Sequence, residues 1–291
     1  MKFAWIKSHC DSFPIATMCR VLQVSRSGFY KWRNAKPSPR AQRTEAIKAD
    51  ILKLFERFEG IYGSYKIAKE LKADKKMETA CRNTVARAMK EMGLKCKVTR
   101  QFQPRTTISD PENPFKNVLN QDFTAEAPNQ KWVSDITYIR LTEGWVYLAA
   151  VIDLFSRKVV GWSMSERLTT SLVINALTTA VESRRPEGPL LHHSDRGTQY
   201  TSGAFQEFLN KVNIGCSMSE TGCCYDNAVA ERFFWSLKHE WTNHRSYSNL
   251  EEARWSIFKY IETFYNSQRI HQALNHQTPN QYERSHAASA A

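Results

Sequence analysis

Apolar residues along the chain change their spacing near residue 130. Before it they recur at helical intervals. In 13–32 (FPIATMCRVLQVSRSGFYKW), Ile15, Met18, Val21 and Leu22 share one face, which predicts a helix stopping near Gln23. Ser25 is then placed to cap a second short helix over 27–32 by accepting a backbone N–H. Two short helices about a tight turn form either a plain helical hairpin or a helix-turn-helix, whose second helix can enter a major groove. Lys36-Pro37-Ser38-Pro39 reads as a linker, since prolines end a helix. A long helix is predicted over 41–58, with Ile47, Ile51, Leu54, Phe55 and Phe58 as its stripe, broken by Gly60 and Gly63. Ser64 starts a helix to Leu71, and Asn83 or Thr84 starts another that runs to Met92 and stops at Gly93. Pro104, Pro111, Pro114 and Pro128 make 95–131 an extended connector.

After residue 130 the spacing shortens to that of strands. Segment 132–139 (WVSDITYI) alternates and is rich in β-formers. Glu143-Gly144 makes a hairpin turn into 145–152 (WVYLAAVI), apolar enough to be central and covered on both faces. A third strand follows at 158–164, a helix at 170–183, a strand at 190–193 leading to Asp195, a helix at 205–212, a strand at 214–218 and a helix carrying Glu231. Three antiparallel strands, then helix and strand in alternation, predict an α/β core of ribonuclease-H-like type. This is a mixed five-stranded sheet flanked by helices, behind an all-α helix-turn-helix N-terminal region. The expected divisions are 1–36, 40–95, a connector at 96–128, the core at 129–245 and a tail at 246–291. In the tail, 250–267 is predicted helical, 265–282 a loop packed on the core, and the last residues frayed.

Charge adds a partner to this picture. The net charge is +12 over 291 residues, but residues 1–120 hold 25 basic and 11 acidic side chains (+14) and the remainder 16 and 18 (−2). A basic half joined to a near-neutral half favours a nucleic-acid partner over a merely solvated surface. Arg26 and Lys31 on the first helix pair, and Lys66, Lys69, Arg82 and Arg87 on the second group, are candidate double-stranded DNA contacts. Seven irregularly spaced cysteines without C-x-x-C fit reduced thiols better than disulfides or zinc. With no long apolar run and no signal sequence in MKFAWIKSHC, a cytoplasmic, nucleoid-associated protein is expected.

The candidate chemistry lies in carboxylates. A charge in mid-strand, such as Asp135, is expensive to bury unless paired or metal-bound. The predicted layout puts it beside the end of the fourth strand, where Asp195 sits, with the Glu231 helix across the same edge. Phosphodiester cleavage and transfer need charge neutralised between attacking and leaving oxygens, which two divalent cations about 3.5–4 Å apart can do. Asp135 could bridge two magnesium ions, Asp195 hold one and Glu231 the other, since carboxylate oxygens suit hard cations. Among rival acids, Asp153 is expected to cap the turn at Phe155-Ser156-Arg157 and Asp226 to N-cap its helix. His193 is expected to orient the Asp195 turn, Lys238, two turns beyond Glu231, to point towards DNA, and Arg269 to touch DNA from the C-terminal loop.

These residues carry a resemblance. WVSDITYI around Asp135, HSDRGTQY around Asp195 and YDNAVAERFFWSLKHE around Glu231 resemble the three motifs of the DDE transposases related to retroviral integrases. The 35 residues between Asp195 and Glu231, with Asn227 before the glutamate and Lys238 after it, resemble the bacterial insertion-sequence group encoded in two overlapping frames. FEGIYGSYKIAKEL and YNSQRIHQALNHQTPNQYE extend the likeness to the second-frame product, OrfB, over nearly the whole chain. The resemblance implies a catalytic triad of Asp135, Asp195 and Glu231 binding magnesium or manganese, nicking at the element's ends, and strand transfer by the freed 3′-hydroxyl. It also implies a homodimer or larger assembly on DNA, and a partnership or fusion with the first-frame protein. The competing readings are a DNA-binding regulator with a degenerate nuclease domain and a ribonuclease H.

Overall fold

The computed structural model describes residues 1–36, 38–73, 80–98, 115–220 and 224–290. Residues 99–114 of the expected 96–128 connector, including Pro104, Pro111 and Pro114, lie outside the described residues. The chain forms two compact units, one of Met1–Gly60 with Ile67–Lys95, the other of Ile61–Lys66 with Cys96–Ala291.

The first unit is helical. Helices α1 (Lys2–Ser8), α2 (Ile15–Val21) and α3 (Arg26–Arg33) close over a small core of Ile6, Met18, Cys19 and Phe29. Ser25 caps α3 as expected, accepting from the Gly28 amide at 3.0 Å. A Cβ at Gly28 would stand 2.6 Å from that hydroxyl, so the cap and the glycine require each other. Helix α4 (Pro39–Arg57) begins where a linker was expected. Pro39 sits at its first turn, where a missing N–H costs nothing, and Ser38 accepts from Ala41 at 3.2 Å. Helices α5 (Ser64–Ala73) and α6 (Arg82–Glu91) follow, and Gly93 leaves the latter at φ +70°.

The second unit holds the sheet. Its strands are β1 (Lys131–Arg140), β2 (Trp145–Asp153), β3 (Val159–Ser165), β4 (Leu190–Ser194) and β5 (Ile214–Met218), in spatial order β3-β2-β1-β4-β5. The first three are antiparallel, while β4 runs parallel to β1 and β5 to β4. Helices α7 (Thr170–Arg184), α8 (Thr198–Thr201), α9 (Gly203–Lys211) and α10 (Ala228–Glu240) flank it. Trp132, Val151, Leu177 and Leu209 are among the buried side chains between sheet and helices. Helix α7 lies so close to β3 that a Cβ on Gly161 would stand 2.3 Å from the Ala176 carbonyl oxygen.

The C-terminal stretch departs from expectation. Helix α11 (Leu250–Phe258) continues as a π-helix over Lys259–Tyr265, and a further helix, α12 (Pro279–Ala290), replaces the expected frayed end. Thr278 and Gln281 form a reciprocal cap: the Thr278 hydroxyl accepts from the Gln281 amide at 3.2 Å, and the Gln281 side chain accepts from the Thr278 amide at 3.0 Å. Glu283 on α12 accepts from Arg184, Lys158 and Ser156, which fastens the helix to the core.

Candidate active site

The register of β1 and β4 builds the site. Their last ladder pair is Ser134 with Ser194, so Asp135 and Asp195 are the next residues on neighbouring parallel strands, which lie about 4.8 Å apart. Asp135 is half-buried and accepts from the Ile136 amide at 2.8 Å. Asp195 lies beyond its strand, exposed, and accepts from the Gly197 amide at 3.1 Å. Helix α10 supplies the third acid. Asn227, just ahead of it, donates to the Ser134 carbonyl at 3.1 Å. Glu231 is one helical turn along the same face, and Lys238 two turns further. Burial raises the Asp135 carboxyl well above the usual range, the Asp195 charge raises it further, and Glu231 adds to the effect. Asp195 is also raised, by its protein surroundings, although much of the residue remains open to solvent. The three acids and Lys238 therefore share one electrostatic neighbourhood.

Two buried histidines brace the strands beneath. The His192 ring meets the Ser134 hydroxyl at 2.7 Å through Nε2, and His193 spans the hydroxyls of Ser217 at 2.8 Å and Ser219 at 3.2 Å. Burial pulls their pKa values down to about 3 and about 4, so both rings are neutral near pH 7. His193 supports the Asp195 turn through Ser219, whose amide donates to the Ser194 carbonyl at 3.0 Å. Tyr200, which sequence reasoning passed over, is buried with an unpartnered hydroxyl, and its pKa is driven up by burial and then by Asp135 and Asp195.

The rival acids separate. Asp153 caps its turn as expected, accepting from Phe155 at 2.9 Å and from Asn129 at 2.8 Å. Asp226 is not a helix cap. It is buried and accepts from Asn117, Gln121 and the Glu220 amide at 2.7–2.9 Å, tying the segment before β1 to the loop before α10.

The expected DNA contacts fall into three groups. Arg26, Lys31, Arg82 and Arg87 are exposed, and Lys69 is half-buried. Lys238 lies 4.1 Å from the centre of the Tyr138 ring, at the edge of a groove of about 640 Å³ that Arg140, Trp145, His239 and Arg245 also line. Arg269 and Lys66 do not stand out to solvent as surface contacts would. Arg269 is only 8% exposed and binds the buried Glu240 carboxylate at 2.7 and 2.8 Å, because a guanidinium in the core needs its counter-charge there. Lys66 turns inward, with its ammonium 4.7 Å from the centre of the Tyr62 ring. Glu240 was also missed, although it stands seven residues after Phe233 on the apolar face of α10. Burial alone would raise its pKa, but the charge and hydrogen bonds of Arg269 bring it below the usual range.

The mixed five-stranded sheet in the order β3-β2-β1-β4-β5, flanked by helices, is the layout of an integrase-type core. Residues 125–224 and 212–279 match models of the Integrase core domain, and 42–102 match an HTH-like domain. Over 290 residues the chain is 41% identical to the transposase InsF for insertion sequence IS3A of Escherichia coli (strain K12), covering 99% of this chain and 100% of that protein. It is 39% identical over 274 residues to a 31 kDa protein of insertion element IS600 from Shigella sonnei, covering 94% and 100%. Among solved structures, the HTLV-2 integrase catalytic core domain in complex with magnesium is 21% identical, with a TM-score of 0.40, over 54% of this chain and 98% of that one. A chain of the simian T-cell lymphotropic virus intasome is 18% identical, with a TM-score of 0.44, over 80% and 74%. The chain belongs to the IS3 family of transposases. It is a DDE polynucleotidyl transferase that binds DNA and acts in its integration. No helix among the described residues is long and apolar enough to cross a membrane.

Proposed function

We propose that Asp135, Asp195 and Glu231 are the catalytic carboxylates of this transposase and that they hold two divalent cations, magnesium or manganese. The supporting observation is the β1–β4 register, which makes Asp135 and Asp195 neighbours while Asp135 also feels the charge of Glu231. The donor set fits hard cations, since all three groups offer carboxylate oxygens. Among the described residues, no three acidic, His or Cys side chains already stand close enough to hold an ion. The neighbouring charges that raise the Asp135 carboxyl would be relieved by a cation held between them. Bound cations would stabilise the charge on the attacking and leaving oxygens.

The chain's own residues do the rest. Asn227 fixes the start of α10 against β1 and so sets Glu231 over the two aspartates. Lys238 and the basic, aromatic groove beside it receive the phosphate backbone. The freed 3′-hydroxyl of the element's end then attacks a target phosphodiester, forming a new P–O bond as the target strand's own 3′-oxygen leaves and takes up a proton. On this reading 129–245 is the catalytic segment, and 1–36 and 40–95 grip DNA through Arg26, Lys31, Lys69, Arg82 and Arg87. Two element ends must be joined together, which calls for at least a dimer on DNA, and the first-frame protein is the natural further partner. Strand transfer of labelled terminal repeats tests the triad. Asp195→Asn and Glu231→Gln should each lose activity while still binding DNA, and full activity in either would overturn the assignment.

A further inference from the structure

Helix α10 presents a second chemistry on the side away from Glu231. Ala228, Val229, Arg232, Phe233 and Ser236 face a cleft of about 480 Å³ in the second unit. Cations dominate its walls: Lys66, Arg157, Arg232 and Arg269, with His276 at its margin. Glu240 hydrogen-bonds only one of them, Arg269, although its charge also acts on Lys66. Both its oxygens are taken by Arg269, at 2.7 and 2.8 Å, and one also accepts from the Tyr260 hydroxyl at 2.9 Å. Neither Lys66 nor Arg157 has an ion pair among the described residues. Lys66 has only the face of Tyr62. Arg157 spends Nη2 on the Phe123 carbonyl at 3.0 Å, and its Nη1 is buried with no partner.

Buried cations without an ion pair are costly, and a protein that keeps two in one cleft has a use for an anion there. We propose that this cleft is a phosphate-binding site, filled by a backbone phosphate of a DNA strand. A guanidinium edge on one wall and an ammonium on another suit a tetrahedral group with several acceptor oxygens. The cleft is too roomy for one ion alone but can admit a phosphate with its attached sugar. The accumulated charge is felt locally. Burial and then the charge of Arg269 bring Lys66 down to about 7, against the opposing pull of Glu240. His271, on the same wall, is held well below its usual range by burial and then by Arg269, Lys66 and Arg157. An arriving phosphate would reverse that balance. The DNA source rests on the transposase reading, whereas the phosphate chemistry does not.

The test uses the full chain without divalent metal. Melting is followed against low-millimolar inorganic phosphate at fixed ionic strength, and duplex DNA binding against salt. The wild-type melting temperature should rise with phosphate. Lys66→Met should melt no lower than wild type in its absence, since a repelled charge is gone, and should lose the rise. Arg232→Gln, at an exposed position, makes the same comparison should the lysine variant fail to fold. With a DNA phosphate as the occupant, each variant should also reduce the slope of log affinity against log salt by about 1. Loss of the phosphate response with an unchanged slope supports the site and assigns it to a free phosphate-bearing ligand. A wild type that phosphate does not stabilise, or a folded Lys66→Met that keeps the full response, overturns the proposal. Failure of the triad assignment would appear in strand transfer and leave both measurements unchanged.

Discussion

Asp135 is where the fold and the chemistry pull against each other. Its carboxyl is raised by burial and by the charges of Asp195 and Glu231. The folded chain therefore binds this proton more tightly than the unfolded chain does. The stability it contributes is complete below the unfolded value of about 3.9 and is lost as pH rises through the folded one. Without divalent metal, the melting temperature should fall as pH climbs from about 4 towards neutrality, and Asp135→Asn should flatten that fall. At pH 7 the variant should melt a few degrees higher, at roughly 2–4 °C per kcal/mol of repulsion relieved. Its strand transfer should drop by more than about 100-fold, beyond what loss of a metal site's outer partners costs. Calorimetry across pH checks the first claim, and an unchanged slope in Asp135→Asn would refute it. The three acids proposed for the site could be picked out in the sequence because each stands in mid-strand or near an element's end. Tyr200 was not, because an aromatic after a turn reads as core until its hydroxyl is seen unpartnered beside two carboxylates.

Among elements, the strands and helices of the core followed their apolar periodicity within a few residues, because long periodic segments report directly which face is buried. The C-terminal elements were less legible. A π-helix breaks the 3.6-residue period through Lys259–Tyr265, and α12 has too little apolar character to show a stripe. The Thr278-Pro279-Asn280-Gln281 cap was visible in the letters and would have marked the start of α12. The pair formed by Glu240 and Arg269 could not be found by spacing, since its partners lie 29 residues apart and a lone charge reads as solvated. That pair joins α10 to the segment after the π-helix. Breaking it from one side should be severe: Arg269→Met or Glu240→Gln alone leaves a buried charge unpaired, at a cost of about 3–5 kcal/mol. The double variant should recover much of the loss. Denaturant unfolding of all four proteins measures the coupling, and simple additivity would show that the pair does not act as a unit. A separate prediction concerns Gly161. Gly161→Ala should cost about 1–3 kcal/mol, because the added methyl meets the α7 backbone, which has no flexible side chain to yield.

At the scale of the whole molecule, charge and chemistry are divided along the chain. Residues 1–120 carry +14 and the rest −2, while the three carboxylates all lie in the near-neutral part. Binding and catalysis should therefore respond to different substitutions. Each phosphate neutralised by a lysine or arginine releases condensed counterions, and log affinity falls with log salt at about 0.9 per contact. Arg26, Lys31, Arg82 and Arg87 are exposed, so changing them to glutamine leaves the cores intact. In the full chain each substitution should make the salt dependence shallower by about 1, and the four together by about 4, with affinity weakened across DNA sequences alike. Asp195→Asn should behave in the opposite way, losing strand transfer while keeping the wild-type salt slope. Fluorescence anisotropy with one labelled duplex at several salt concentrations separates the two. If the four-fold variant kept the wild-type slope, the N-terminal charge would be a solvated surface, and the grip on DNA would have to come from the groove beside Lys238.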